Sequence, residues 1–140
     1  MVVVFDTNVL VAATLSPFGA SFQLLSLIPE RRFELLLSVP VMLEYEEVLK
    51  REDMRAQSHL TLEEVDVLLD MLAAVGTPCT PFFQWRPQLP DPDDEMLLEL
   101  AVNGRADAII TVNTRDFLPA ARTFGVEVWR PGEFLRRLRS

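Results

Sequence analysis

The chain has 140 residues, the length of one domain, and its 49% hydrophobic and 24% charged residues exclude a disordered polypeptide. One cysteine, Cys79, and one histidine, His59, exclude an internal disulfide, a thiolate zinc cluster and a two-histidine metal site, and five scattered glycines exclude a P-loop or a GxGxxG turn. A net charge of -8 argues against simple phosphate binding, yet acids that gather divalent cations leave a filled site far less negative, and Arg136, Arg137 and Arg139 concentrate positive charge at one end.

Val2 to Phe5 is a short apolar, β-branched run, the pattern of a strand buried on both faces. Its lack of a basic leader and its early stop at Asp6 do not fit a signal peptide, and no apolar run approaches the roughly 20 residues of a membrane span. A cytoplasmic location is the expectation for a chain with one free thiol. Val9 to Thr14 reads as helix, and Ala20 to Ile28 as a second one stopped by Pro29. Phe33 to Leu37 is the next strand. Ser38 reads as an N-cap and Pro40 as a first-turn proline, opening a helix to about Arg51. Thr61 and Glu64 form a capping box for a helix to about Val75, closed by Gly76.

Residues 77 to 93 hold five of the ten prolines and read as a loop, with a short strand expected near Cys79. Asp91 to Asp94 open a helix reaching Asn103 and Gly104, their charges placed where the helix dipole favours them. Ala108 to Val112 is a third strand, Asp116 to Phe124 a short helix, Gly125 to Trp129 a strand, and Pro131 starts a terminal helix.

Strands alternating with helices predict an α/β protein, a mostly parallel sheet with helices on both faces, in a single domain over residues 1–140. Ligands of such sheets bind beyond the carboxyl ends of the strands. Asp6 follows the first strand, Asn113 and Asp116 follow the third, Glu44 lies one turn into the helix after the second, and Asp94 starts a crossover helix. All four acids can therefore reach one end of the sheet. Oxygen-only donors suit Mg²⁺ or Mn²⁺, which can activate water for phosphodiester cleavage without cysteine or histidine.

Each residue also has a plainer role open to it. Asp6 can be a helix cap, Glu44 part of a solvated face with Glu46 and Glu47, and Asp91, Asp93 and Asp94 dipole and cap residues. Asp116 can cap its own helix, and Asn8 and Asn113 can pin loop backbone. His59 and Cys79 read as incidental. The convergence of four acids favours chemistry.

Four segments carry a family resemblance. Val4-Phe5-Asp6-Thr7-Asn8-Val9-Leu10 resembles the opening of PIN domains, and the stretch from Ser38 through Pro40 and Glu44 to Leu49 resembles their second acidic motif. Asp94 with Ala101 seven residues later resembles the third, and Ala106 through Thr111, Asn113 and Asp116 to Phe117 the fourth. The resemblance spans nearly the whole chain, in order, and is nearest to the small VapC-like toxin ribonucleases of toxin–antitoxin pairs. It implies a three-layer α/β/α fold and RNA cleavage dependent on one or two Mg²⁺ or Mn²⁺ ions. It makes Asp6, Glu44, Asp94 and Asp116 the metal-holding quartet, with Thr7, Asn8, Asp91 and Asn113 in support, and implies an antitoxin partner and a homodimer without membrane attachment. Val112-Asn113 stands where many members carry Gly-Asp, which leaves Asp116 as the fourth acid. The spacing to Ala101 selects Asp94 over Asp91 and Asp93.

Two other readings compete. A Mg²⁺-dependent phosphatase could use Asp6 as nucleophile, but position 8 is Asn rather than a second Asp, and the sole lysine is Lys50. A non-catalytic PIN-like binding module would not need all four acids.

Overall fold

Strand β1 (Val2–Phe5) is the centre of the molecule, with Val3, Val4 and Phe5 fully buried. Each such side chain contributes about 1.5–3 kcal/mol on burial. The computed structural model describes residues 1–80 and 94–140, so Asp91 and Asp93 fall outside the described residues. Helix α1 (Thr7–Leu15) follows β1 directly, then α2 (Ala20–Leu27) and a 3₁₀ turn at Ile28–Glu30. Arg31, in the left-handed region at φ 56°, ends that turn and leads to β2 (Glu34–Leu37).

Helix α3 (Val39–Lys50) starts as its sequence suggests: the Ser38 hydroxyl accepts from the Val41 amide at 3.3 Å. Its buried positions are Val41, Tyr45 and Leu49, one stripe at four-residue spacing. Helix α4 (Glu52–Ser58) has no counterpart among the predicted elements. It buries only Met54, so it offers no hydrophobic period to read.

Helix α5 (Leu62–Val75) has the predicted capping box, with the Thr61 amide donating to Glu64 and the Glu64 amide to Thr61, both at 3.1 Å. Gly76 ends it for a different reason from the one expected. Its backbone is not left-handed; rather, a Cβ there would lie 2.3 Å from Leu37 Cδ1 and 2.8 Å from the Leu72 carbonyl oxygen. The strand expected near Cys79 is β3 (Thr77–Pro78), after which the Cys79 amide donates to the Leu37 carbonyl at 2.7 Å.

Beyond the residues left undescribed come α6 (Glu95–Asn103), β4 (Ala108–Ile110), α7 (Thr114–Phe124), β5 (Glu127–Trp129) and α8 (Pro131–Arg139). The predicted strand over 108–112 is two residues shorter than expected, ending at Ile110 although the Thr111 amide still donates to the Trp129 carbonyl. Gly125, at φ 73°, supplies the left-handed turn from α7 into β5.

The sheet has the order β3-β2-β1-β4-β5, and every pairing is parallel. Helices cover both faces in a three-layer α/β/α arrangement: α2 packs on α1 and α8, α3 on α5 and α6, and α6 on α7. No single helix among the described residues is long and apolar enough to cross a membrane. The order places β1 between β2 and β4, so the first acid of the chain emerges at the middle of the sheet's carboxyl edge.

Candidate active site

The site is built by strand register. Val3, Val4 and Phe5 pair with Ala108, Ile109 and Ile110, so the next residues in line are Asp6 and Thr111. The Asp6 amide donates to the Ile110 carbonyl at 2.9 Å, and the Thr111 amide donates to the Trp129 carbonyl at 3.0 Å. The carboxyl edge thus runs from Asp6 through Thr111 to Trp129.

Asp6 is 6% exposed and Thr111 is fully buried. The Thr111 hydroxyl donates to Asp6 Oδ2 at 2.7 Å. It also accepts from the Asn113 amide at 3.0 Å and from Asn8 Nδ2 at 3.4 Å. A hydroxyl has one proton and two acceptor positions. With both acceptor positions filled by N–H groups, its proton is directed at Asp6, which must accept it. That arrangement favours the ionised carboxylate.

Burial works the other way and raises the Asp6 pKa above its ordinary value of 3.8. Thr111 opposes that rise most, followed by the amides of Asn8 and Thr7 and then the Asn8 side chain, without cancelling it. Asp6 occupies the N-cap position of α1 but makes no side-chain capping bond. The two amides therefore act on it as nearby dipoles, and its own directed hydrogen bond goes to Thr111. The simple capping role open to Asp6 in the sequence is not the one it plays.

Asn8 pins backbone, as one reading of the sequence allowed: its Oδ1 accepts from the Val112 amide at 3.3 Å. Asn113 joins the network through its backbone amide, and the residue is exposed. Thr7 is buried at the first position of α1.

Glu44 is half-buried on α3, next to Tyr45. Tyr45 is fully buried and donates its hydroxyl to the Phe5 carbonyl, immediately before Asp6. Burial, and then the charge of Asp6, push its phenol far above the ordinary range, so it remains a neutral donor. Asp94 is half-buried at the N-cap of α6. Asp116 is half-buried in the first turn of α7, its amide bonded to the Asn113 carbonyl at 3.2 Å.

The structure thus joins Asp6, Asn8 and the 111–113 turn by direct bonds. It places Glu44, Asp94 and Asp116 by element, on the helices that begin at the same end of the sheet. Among the described residues, no three His, Cys, Asp or Glu side chains stand together as ready metal ligands. The donor chemistry nevertheless fits Mg²⁺ or Mn²⁺: a buried carboxylate held as a hydrogen-bond acceptor, other carboxylates on helices that begin at the same end of the sheet, and no soft ligand.

Sequence reasoning missed Thr111 and Tyr45. Thr111 looked like one more strand residue, because the register that sets it beside Asp6 is a property of the sheet and not of any local stretch of sequence. Tyr45, the single tyrosine, sits in the 41, 45, 49 stripe, which marks it as buried and hence in need of a partner for its hydroxyl. Glu95 and Glu99 on α6 are likewise buried, beside Asp94 and not singled out.

No curated protein matches the chain. Among solved structures, VapBC2 from Rickettsia felis, bound to a DNA fragment from their promoter, matches it with a TM-score of 0.62 at 15% identity, covering 93% of this chain and 98% of that one. That likeness is one of fold. The family model of the PIN domain matches residues 2–115, from β1 into the first turn of α7. That match takes in Asp6, Glu44, Asp94 and Thr111, and by it the chain belongs to the PIN domain family.

Proposed function

We propose that the protein is a divalent-metal-dependent endoribonuclease, the toxin of a toxin–antitoxin pair. PIN domains are generally nucleases and typically use divalent metals, which supports hydrolysis of a phosphodiester. The observation that carries the reading is the Asp6 carboxylate, buried at the middle of the sheet's carboxyl edge and committed as an acceptor by the saturated Thr111 hydroxyl.

In this reading Asp6, Glu44, Asp94 and Asp116 hold one or two ions. The chemistry that Mg²⁺ or Mn²⁺ supplies when bound is Lewis acidity toward phosphate and water. Thr111 opposes the burial that raises the Asp6 pKa and fixes one of its oxygens. Tyr45 fixes the backbone from which Asp6 projects, and Asn8 ties the helix start to the 111–113 turn. Water attack at phosphorus leaves a 5′-phosphate and a 3′-hydroxyl.

The fold shared with VapBC2 supports an antitoxin as protein partner. Val39 and Leu43, exposed apolar residues one turn apart on α3, provide surface that such a partner or a second copy of the chain would cover. The reading places the protein in the cytoplasm.

The test is incubation of purified protein with single-stranded RNA in Mn²⁺ or EDTA, beside a generic phosphatase substrate. Cleavage in Mn²⁺ only, with 5′-phosphate ends, is expected. Full cutting in EDTA, 2′,3′-cyclic phosphate ends, or turnover of the phosphatase substrate alone would each overturn the reading.

A further inference from the structure

The ladder that sets Thr111 beside Asp6 has a third member. Phe5 pairs with Ile110, and Ile110 with Trp129, so the residues next in line are Asp6, Thr111 and Arg130. The backbone of Arg130 is still extended, at φ -76° and ψ 155°, so the row continues through it before α8 begins. Residues in register on parallel strands present their side chains to the same face. Thr111 and Asp6 do so, since their side chains are bonded to each other. Arg130 therefore stands in the row of the site, two strands from Asp6, or about 10 Å at ordinary strand spacing.

Arginine is a poor choice for that position on local grounds. Arg130 is the N-cap of α8, a place that favours Ser, Thr, Asp or Asn, and it makes no side-chain capping bond. A cation there also meets the positive end of the helix dipole. The other arginines of this helix, Arg136, Arg137 and Arg139, lie in its last turn, at the far end of the sheet, where the dipole favours them. Glu133, the one acid of α8, accepts from the Arg130 amide at 3.1 Å and makes no ion pair with its guanidinium. Arg130 is exposed and, among the described residues, is in no ion pair. A residue that breaks local preference without a local partner is expected at working sites.

Resting on the ribonuclease reading, we propose that Arg130 is a substrate-binding residue, holding the RNA phosphate next to the one cleaved at Asp6. Its planar fork matches phosphate oxygens two at a time. The guanidinium makes no ion pair with Asp6, so the carboxylate and the cation are free to serve two different points along one strand. Arg130 thereby fixes the direction in which the strand leaves the cleavage point, across β4 toward the start of α8.

The experiment compares wild type, Arg130→Ser, Arg130→Lys and Arg122→Gln in the full chain, cutting a single-stranded RNA in Mn²⁺ over a range of RNA and KCl concentrations. Arg130→Ser removes the charge and installs a preferred N-cap, so its melting temperature should equal or exceed that of wild type. Its KM should rise about tenfold, the worth of one charge-assisted contact. Its kcat should stay within about twofold, because a phosphate that does not react is held equally in ground and transition states. The dependence of log KM on log salt should fall by about 0.7, the share of one contact on a single strand. Arg130→Lys should keep part of the affinity. Arg122 is exposed in the last turn of α7, at the opposite end of the sheet, and its variant, which loses one charge there, should match wild type. Mn²⁺ affinity, read by calorimetry, should be the same in all four proteins.

Unchanged KM and salt slope in Arg130→Ser would overturn the proposal, and so would an equal change in Arg122→Gln, which would make the effect one of net charge. A fall in kcat alone, or a lowered melting temperature with equal losses in the Ser and Lys variants, would overturn it in favour of a structural role at the start of α8. Wild-type protein that cuts no RNA in Mn²⁺ would overturn the ribonuclease reading by itself. Fluorescence anisotropy of the same RNA in Mn²⁺ then judges Arg130 separately. Binding about tenfold weaker in Arg130→Ser, but not in Arg122→Gln, keeps the phosphate contact standing. Equal binding overturns it.

Discussion

Tyr45 on α3 hydrogen-bonds the carbonyl of Phe5 in the central strand, one residue before the acid on which the site depends. The helix after the second strand is thereby fastened to the end of the first. Tyr45→Phe keeps the ring and removes the proton, leaving a buried carbonyl without that donor. The expected cost is about 1–3 kcal/mol of stability. Urea denaturation of the two proteins measures it, and a midpoint equal to wild type would show that the bond contributes nothing.

Thr111→Val removes the only proton that the turn directs at Asp6 while preserving side-chain shape. Metal affinity and cleavage should fall by roughly 10–100-fold, the range for losing a partner that orients a ligand. Thr111→Ser should restore most of it. Calorimetric titration with Mn²⁺ beside initial cleavage rates checks both, and equal loss in Val and Ser variants would assign the effect to packing of the methyl group instead.

Asp6 carries a pH signature. Its folded-state pKa is raised, so the native protein binds that proton more tightly than the unfolded chain does. The stability it contributes is present below its ordinary value of 3.8 and is lost as pH rises through the raised folded value. Asp6→Asn has no such proton, so in EDTA its melting temperature should gain on wild type across that window and hold the advantage at neutral pH. With Mn²⁺ at a hundredfold excess over Kd, wild type should gain about 2.7 kcal/mol, a rise of several degrees for a domain of this size. The variant should gain less. A metal response equal in both proteins would remove Asp6 from the ligand set.

The third acid is tested by a pair of neighbours. Asp94→Asn should cut the rate by more than the roughly 10–100-fold of an outer-shell loss, and Asp93→Asn should leave most activity. Both rates are read on the same RNA, with folding checked by circular dichroism. The reverse pattern would move the register by one residue.

Gly76→Ala probes the turn after α5. The added methyl meets the Leu37 side chain, which can swing away, and the Leu72 carbonyl, which cannot. Overpacking of this kind costs about 1–3 kcal/mol. A thermal melt of the variant measures the cost, and an unchanged transition would show that α5 shifts freely.

The alternation of strands and helices was legible because its signals are local: the β-branched run of β1, the Ser38 cap and the Thr61 capping box each lie within a few residues. Helix α4 was not, since a seven-residue helix with one buried side chain has no repeat to display. At the site, Asp6 was visible as an acid after a strand. Its partnership with Thr111 was not, because it arises from register between strands 105 residues apart.

That separation of 105 residues has a consequence for the ribosome that makes the protein. Asp6 is among the first residues synthesised, yet the hydroxyl that organises it belongs to the last third of the chain. Long-range parallel pairing forms late, after its loop-closure entropy has been met. At about 5–20 residues per second, several seconds pass between the emergence of one partner and the other. A growing chain therefore carries its first acid unassembled throughout, and a PIN domain built this way completes its site only as synthesis ends.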